Sequence, residues 1–598
     1  MANNKIRASS PSTSLRLSRQ PRHSCTITSV KRHFPLLCIA IVSLLLYLPF
    51  VSNGYINVDD AGLIWNNSAV MQFDVLRVFS SYDPELYIPL TLLTYQIEYV
   101  IAGASPLLSH LTNLLLHTLS ALLVYAIVKR LTRSATVGLL TALFFAMHPM
   151  QSTAVLWASA RKDLLSSALM LLSLHLYLKE NKWSLAAFLG ALLSKISVAV
   201  LPLLLLLIDV WEGKPMNRER ITEKWPYFGL SFVFGVIAIF GKTTNLGSMS
   251  SSDYFLLSAK NIVFSVQKLF APLGLSFMYP QSTEVSVAQP DFYIPIILLM
   301  FAAGLLYALR KRLSVVVWCL GWFVICMLPN LLTYSQNTNI IFASNRYVYL
   351  ACIGVFMYIS SLIVLQKRAV MLVLIPVLLG TCGVLTVAET RTWRSSEALM
   401  RSSLAAGYDH PMIHHNLAAA LRKSGKKEEA MQEFLHAGNS GYAYSFKLAG
   451  DMQKERGNDA KATKLYEQSM EAVRKSGARG STDLAAHYEI AALRQSQNNA
   501  PEAERILLEA LKLGDHIAST YINLGTLYLE TGNADTAKKY LLEAVKLNSF
   551  SAGAWYHLAF VYAQEMQHDK AVKALKRVLR IDPYYNGAAA NLEQLENL

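Results

Sequence analysis

Hydrophobic positions in this chain fall into two regimes. Between residues 34 and 388 they form long runs, near 34–52, 107–128, 134–148, 163–178, 183–193, 197–210, 225–240, 291–309, 313–329, 346–365 and 369–388. Such runs predict bilayer-crossing helices, because the hydrocarbon core takes roughly 20 apolar residues of helix. Several are short or interrupted, above all the pair around Ser194-Lys195, and broken helices are tolerated where they line a cavity. Beyond Ala388 the runs stop. Glu, Lys, Gln, Asn and Ala become common, and apolar and small residues return with a self-similarity of about 34 residues.

The repeats agree in phase. One reads Asn416-Leu-Ala, Gly425, Ala430, Phe434, Ala437; the next Leu448-Ala-Gly450, Gly457, Ala462, Tyr466. A third has Ile490-Ala491, Asn498, Ala503, Leu507, Ala510. The clearest has Leu524-Gly525, Tyr528, Gly532, Ala537, Leu541, Ala544, and the last Leu558-Ala559, Tyr562, Ala571, Leu575, Pro583. Small residues let paired helices approach and Gly or Asn turns the chain between them, which is the tetratricopeptide pattern. The expected fold is all-α: a basic tail (1–33), a polytopic membrane helical domain (34–388), a linker helix (389–410) and a tetratricopeptide α-solenoid (411–598) ending in a capping helix over Gly587–Leu598. Such solenoids present a concave groove to a peptide or protein.

Composition agrees with a membrane protein. Hydrophobic residues make 53% and charged residues 16%, with mean hydropathy +0.31, too apolar for a soluble chain. The +15 balance does not indicate nucleic acid. Much of it lies in the tail (Lys5, Arg7, Arg16, Arg19, Arg22, Lys31, Arg32) and in short loops, the pattern that orients membrane helices with basic residues inside. With the tail cytoplasmic, Lys129-Arg130, Arg133, Lys179, Lys182, the loop Trp211–Lys224, Arg310-Lys311-Arg312 and Lys367-Arg368 fall inside if Pro84–Gly103 does not cross. That stretch then reads as an interfacial or re-entrant helix. Gly241–Pro290 stays outside, with Ser258–Ala271 along the surface. About eleven crossings follow, with a cytoplasmic N-terminus and an external C-terminus. Phe34–Val51 lacks a small-residue cleavage site and reads as a retained helix. The six cysteines, Cys25, Cys38, Cys319, Cys326, Cys352 and Cys382, show no metal-ligand spacing and imply no disulfide.

On this topology four polar stretches meet the outer surface. Asn57, Asp59 and Asp60 follow the first helix. His148-Pro149 leads through Trp157 to Arg161-Lys162-Asp163, Lys195 breaks an apolar run, and Asn345-Arg346-Tyr347-Val348-Tyr349 precedes a crossing. Acids and cations thus collect on one side, as a reaction between an external acceptor and an anionic lipid requires. Arg and Lys neutralise phosphate, and a carboxylate accepts a proton from an attacking hydroxyl. Each has a plainer explanation. The acids serve equally as a solvated cap or turn. Arg346, Arg161 and Lys162 serve as headgroup anchors, His148 as a helix-end cap, and Lys195 as a snorkelling side chain. His110, Asn113 and His117 share one helix face at spacings of three and four and fit interhelical hydrogen bonds better than chemistry.

The combination resembles the transmembrane-and-tetratricopeptide protein O-mannosyltransferases and their bacterial relatives, of the GT-C glycosyltransferase fold. The resemblance rests on Asp59-Asp60, Tyr87-Ile-Pro-Leu-Thr-Leu-Leu-Thr94, His110-Leu-Thr-Asn-Leu-Leu-Leu-His117 and His148-Pro149…Trp157…Arg161-Lys-Asp163. Leu193-Ser-Lys195, Asn345-Arg-Tyr-Val-Tyr-Leu350 and Arg391-Thr-Trp393…Glu397-Ala-Leu399 extend it. It implies transfer of a sugar from a polyprenyl-phosphate hexose to Ser/Thr of exported proteins on the external face, the repeats binding the acceptor. Asp59 or Asp60 would act as base. Arg346, Lys195, Arg161 and Lys162 would hold the lipid phosphate, with His148, His117, Tyr347 and Tyr349 in support. No cofactor beyond the lipid-linked donor and no metal is implied: Ile196 and Asn345 stand where the family often has acids. The short loops point to a bacterial inner membrane, or the ER membrane in a eukaryote, with the repeats periplasmic or lumenal. A glycolipid or cell-wall glycan is the rival acceptor, and a non-catalytic membrane-anchored assembly factor the rival class.

Overall fold

The structure is a computed structural model that describes residues 24–80, 82, 86–241, 250–309, 314–331, 334, 340–476, 481–514, 516–582 and 584–597. The basic tail up to residue 23, the Arg310-Lys311-Arg312 loop and Pro583 lie outside these residues. Helices account for nearly all of the regular structure. The one sheet among the described residues is an antiparallel pair, Tyr279–Pro280 with Ile341–Ala343.

The apolar runs fold as helices close to their expected limits: Ser24–Tyr47, Pro106–Thr132, Ala135–Met147, Arg161–Tyr177, Trp183–Ser194, Leu201–Trp211, Trp225–Gly241, Pro290–Leu309, Ser314–Leu331, Cys352–Val364 and Arg368–Thr392. Among the described residues four are by themselves long and apolar enough to cross a membrane, and Ala135–Met147 with its bent continuation makes a fifth; Trp183–Ser194, Ile196–Trp211, Trp225–Gly241, Val315–Leu331 and Cys352–Val364 are shorter apolar segments. Breaks occur where the sequence dictates. Pro149 forces His148 out of helical geometry (φ −73°, ψ 132°), and the chain bends by 54° there. Lys195 is extended (φ −166°, ψ 134°) between Trp183–Ser194 and the 3₁₀ turn Ile196–Val200. Ser105 and Ser134 cap the following helices through their side chains. Pro89–Ala102 is the separate helix expected within Pro84–Gly103.

Two boundaries differ from expectation. The run 346–365 is not one helix: Asn345–Val348 form a 3₁₀ turn and the α-helix starts at Cys352. Hydropathy alone merges them, because Tyr347-Val-Tyr-Leu350 is apolar. The last membrane-type helix continues to Thr392, and Ser396–Ala405 forms the linker helix.

Among the described residues the solenoid has five helix pairs, from Pro411–Lys423 with Lys427–Asn439 to Ala552–Gln564 with His568–Ile581, and a cap at Ala588–Glu596. Its small positions are sterically required. A Cβ on Gly450 would lie 2.5 Å from the Tyr466 ring, and one on Gly525 would lie 2.6 Å from Leu541. The root of the solenoid does not hang free. Trp393, Leu399, Met400, Ile413 and Leu417 share one apolar cluster with Tyr47, Val51, Trp157 and Phe277 of the helical domain. Asn53 Nδ2 donates to Trp393 O (3.1 Å), and Ser396 Oγ accepts from the Asn57 amide (2.9 Å). Towards the other end of the solenoid, the guanidinium groups of Arg77 and Arg577 lie 5.4 Å and 5.3 Å from the centre of the Phe550 ring.

Candidate functional site

After Phe50 the chain turns through Val51–Asn57 and enters a π-helical turn at Ala61–Trp65. Asp59 and Asp60 lead into this turn, and their side chains meet different surroundings. Asp60 is fully buried. It accepts from the amides of Ile56 (2.8 Å) and Ser159 (2.9 Å) and from the Ser159 hydroxyl. It thereby stitches its own loop to the Ala158–Ala160 turn. Burial, with the neighbouring Asp59 charge, pushes its carboxyl up to about 6 against the lowering by these hydrogen bonds. Asp59 remains 41% exposed and faces Lys162 Nζ at 3.8 Å.

Asp59 lines a cavity of about 320 Å³ with Lys162, Lys195, Arg346 and Tyr347. Four separate elements contribute: the Asp59 turn, the first turn of Arg161–Tyr177, the break after Ser194 and the Asn345–Val348 turn. Lys195 Nζ binds Asp163 Oδ1 at 2.5 Å and lies 6.0 Å from the Tyr347 ring centre. Arg346 lies over the rings of Trp157 (4.4 Å) and Tyr347 (5.5 Å). Its Nε and Nη1 are buried and meet no hydrogen-bond acceptor among the described residues. Three cations therefore face two carboxylates, and the arginine fork still has donors to offer. The remaining wall is largely apolar, with Leu86, Ile88, Ile196, Phe234 and Ile237. The helix that carries Phe234 exposes Phe232, Val233, Ile239 and Phe240 on its outside. An anionic head beside an apolar chain suits this division, because an unpaired buried cation costs free energy until an anion arrives.

Other expected residues lie elsewhere. Arg161 is one position before Lys162 and points away from the cavity. Its guanidinium is fully buried against Glu98 (2.6 Å), Asn113 Oδ1 (3.0 Å), Ser109 O (2.8 Å) and the Tyr95 ring (4.4 Å). With these bonds made, Arg161 packs between the helices and does not line the cavity, unlike the expectation that grouped it with Lys162. His117 shares a hydrogen bond with the Tyr349 hydroxyl (2.9 Å), stacks on Phe145 and lies in the helix core. His148 Nε2 bonds Leu269 O (3.0 Å), and its Nδ1 caps the Met150 amide. None of the three lines the cavity. Asn113 takes part in interhelical bonding, as its helix face predicts. Two participants carried no expected role. Glu98 anchors Arg161 and accepts from Ser109 and Thr112 hydroxyls; its signal is a lone acid in an apolar helix. Asp163, quoted only as part of a motif, is the partner of Lys195.

Comparison with known proteins follows the same division. Residues 89–240 match the dolichyl-phosphate-mannose-protein mannosyltransferase family, and residues 522–586 match a tetratricopeptide repeat family. A protein O-mannosyl-transferase of Caenorhabditis elegans is 22% identical over 444 residues, covering 67% of this chain and 62% of its own. One of Drosophila melanogaster is 21% identical over 526 residues, covering 70% and 56%. One of Mus musculus is 24% identical over 488 residues, covering 67% and 65%. The chain thus spans less than two thirds of the length of these curated relatives. Among solved structures, YrrB, described as a TPR protein with an unusual peptide-binding site, matches 32% of this chain and 97% of its own at 17% identity, with a TM-score of 0.24. In its mannosyltransferase-like membrane segment followed by tetratricopeptide repeats, the chain resembles the transmembrane-and-tetratricopeptide protein O-mannosyl-transferases.

Proposed function

We propose that the cavity beside Asp59 is the transfer site of a membrane glycosyltransferase. It moves a hexose, mannose by analogy with the relatives, from a polyprenyl-phosphate sugar to Ser/Thr of exported proteins. The observation that carries this reading is the pairing of one half-exposed carboxylate with Lys162, Lys195 and an Arg346 fork that has unused donors. The donor's phosphate takes the cationic side, and its polyprenyl chain runs along the apolar wall at Phe234 and Ile237. Asp59 accepts the proton of the acceptor hydroxyl as its oxygen attacks C1 of the sugar. The bond from C1 to the phosphate oxygen breaks, and the leaving phosphate gains one negative charge. The three cations stabilise that charge where it develops. At about 4 Å and an effective dielectric of 20, each is worth on the order of 4 kcal/mol before desolvation. Asp60, with its oxygens committed to Ile56 and Ser159, holds the loop.

The distribution of basic loops supports placing this site and the repeats on the external side, periplasmic or lumenal. The solenoid root beside the Asp59 loop suits a role in presenting the acceptor. The test is single replacement of Asp59 and Asp60 by Asn, with transfer measured from a synthetic polyprenyl-phosphate mannose to a Ser/Thr peptide in detergent. Asp59→Asn is expected to lose transfer by about 10²-fold or more, with donor binding retained. Asp60→Asn is expected to keep most of it. Full transfer by Asp59→Asn at normal protein levels would sink the assignment.

A further inference from the structure

The junction between the membrane domain and the solenoid carries a second cluster, far from the cavity in chemistry and in sequence. Asp409 ends the linker, His414 lies in the first turn of Pro411–Lys423, and His436 lies in the last turn of Lys427–Asn439. One ligand atom from each of these three side chains lies within 4.8 Å of the other two. The His414 and His436 rings are 4.1 Å apart between centroids. His414 Nε2 faces Asp409 Oδ1 at 2.9 Å, and its other nitrogen, Nδ1, faces Glu433 Oε2 at 2.5 Å.

We propose that Asp409, His414 and His436 bind a divalent transition-metal ion of the zinc type, with water completing the coordination. Two imidazoles and a carboxylate are the ligand types that such ions take. The independent indication is Glu433. A metal-bound histidine characteristically donates its second ring N–H to a carboxylate, which fixes the tautomer and raises the basicity of the ligating nitrogen. Glu433 occupies that position on His414 while remaining outside the converging set. Asp409 and His436 are exposed and His414 is half-buried, so the ion has an open path from solvent. It would join the end of the linker to both helices of the first repeat and stiffen the segment that seats the solenoid on the membrane domain. The binding step exchanges protons and water for metal at Nε2 of His414 and involves no redox change.

The experiment uses full-length protein purified in detergent without a histidine tag, stripped with chelator, and titrated with Zn²⁺ by calorimetry and Co²⁺ by visible absorption. One equivalent is expected to bind. Uptake is lost in His436→Ala and Asp409→Asn, weakened about 10- to 100-fold in Glu433→Gln, and retained in His436→Cys, which keeps a zinc ligand in place. Metal raises the melting temperature of the wild type and not of His436→Ala. Absence of a stoichiometric site, or equal affinity in the wild type, His436→Ala and Asp409→Asn, overturns the proposal. So does equal loss in His436→Ala and His436→Cys.

Discussion

Replacing Asp60 by Asn separates the two neighbouring carboxylates by a property other than activity. In the fold, burial raises the Asp60 carboxyl from 3.8 to about 6. At about 1.4 kcal/mol per pH unit, that gap makes the ionised form cost the fold about 3 kcal/mol. Between the two values the folded protein holds a proton that the unfolded chain has released. Its stabilising effect is complete below about 3.8 and is lost as pH rises through about 6. Asn carries no charge at any pH. It keeps one acceptor oxygen for Ser159 but cannot also accept from the Ile56 amide at 2.8 Å. That loss contributes a constant offset of about 1–3 kcal/mol. The stability of Asp60→Asn relative to wild type should therefore climb by up to about 3 kcal/mol between pH 4 and pH 7, whatever the offset. Thermal unfolding of both proteins in detergent, followed by tryptophan fluorescence across that range, reads the difference directly. Two parallel curves would refute the reasoning, since they would mean that the Asp60 carboxyl titrates in the fold as it does in the unfolded chain and is not withdrawn from water.

Two further outcomes test the scaffold. Glu98→Gln leaves the Arg161 guanidinium buried without its countercharge, and should cost about 3–5 kcal/mol. A large drop in melting temperature and membrane abundance is expected, and an unchanged melt would show that Asn113 and Ser109 suffice to hold Arg161. Gly525→Ala drives a Cβ to 2.6 Å from Leu541, and overpacking of this kind costs about 1–3 kcal/mol. Hydrogen exchange should quicken across Ala518–Leu547 while the helical domain is unaffected; unaltered protection there would mean that the helix pair spreads without penalty.

The helical architecture was legible because its signals are local. Eleven apolar runs and five phased repeats each announce their helix without reference to the rest of the chain. The site was legible as a set of stretches but not as a set of atoms. Asp59 and Asp60, or Arg161 and Lys162, are neighbours in sequence, and only the direction of a helical turn decides which one faces the cavity. The apolar character of Tyr347-Val-Tyr-Leu350 drew Arg346 into a helix, whereas it sits in a 3₁₀ turn that aims it over Trp157. Glu98 has no local motif at all; its role exists only because Pro89–Ala102 packs near Arg161. Asp409, His414 and His436 span two helices and a linker, so no fixed ligand spacing marks them.

The boundary near residue 389 is a boundary of sequence character, not of packing. Trp157 makes this concrete. It stacks beneath Arg346 at the cavity and lies 6.3 Å from Trp393 at the solenoid root. On its other side, Asn53 and Asn57 tie the Asp59 loop to Trp393 and Ser396. A chain ending at Thr392, before the linker helix and the repeats, would uncover Trp157, Val51 and Phe277 on one face, because Trp393, Leu399, Ile413 and Leu417 would no longer cover them. Burying a large apolar side chain contributes about 1.5–3 kcal/mol, so a few such contacts amount to a substantial part of a domain's net stability. The loop bearing Asp59 then loses its support together with the repeats. Loss of transfer on removing the linker helix together with the solenoid is consequently expected even toward an acceptor too small to touch the concave groove, because the ties of the Asp59 loop to Trp393 and Ser396 go with them.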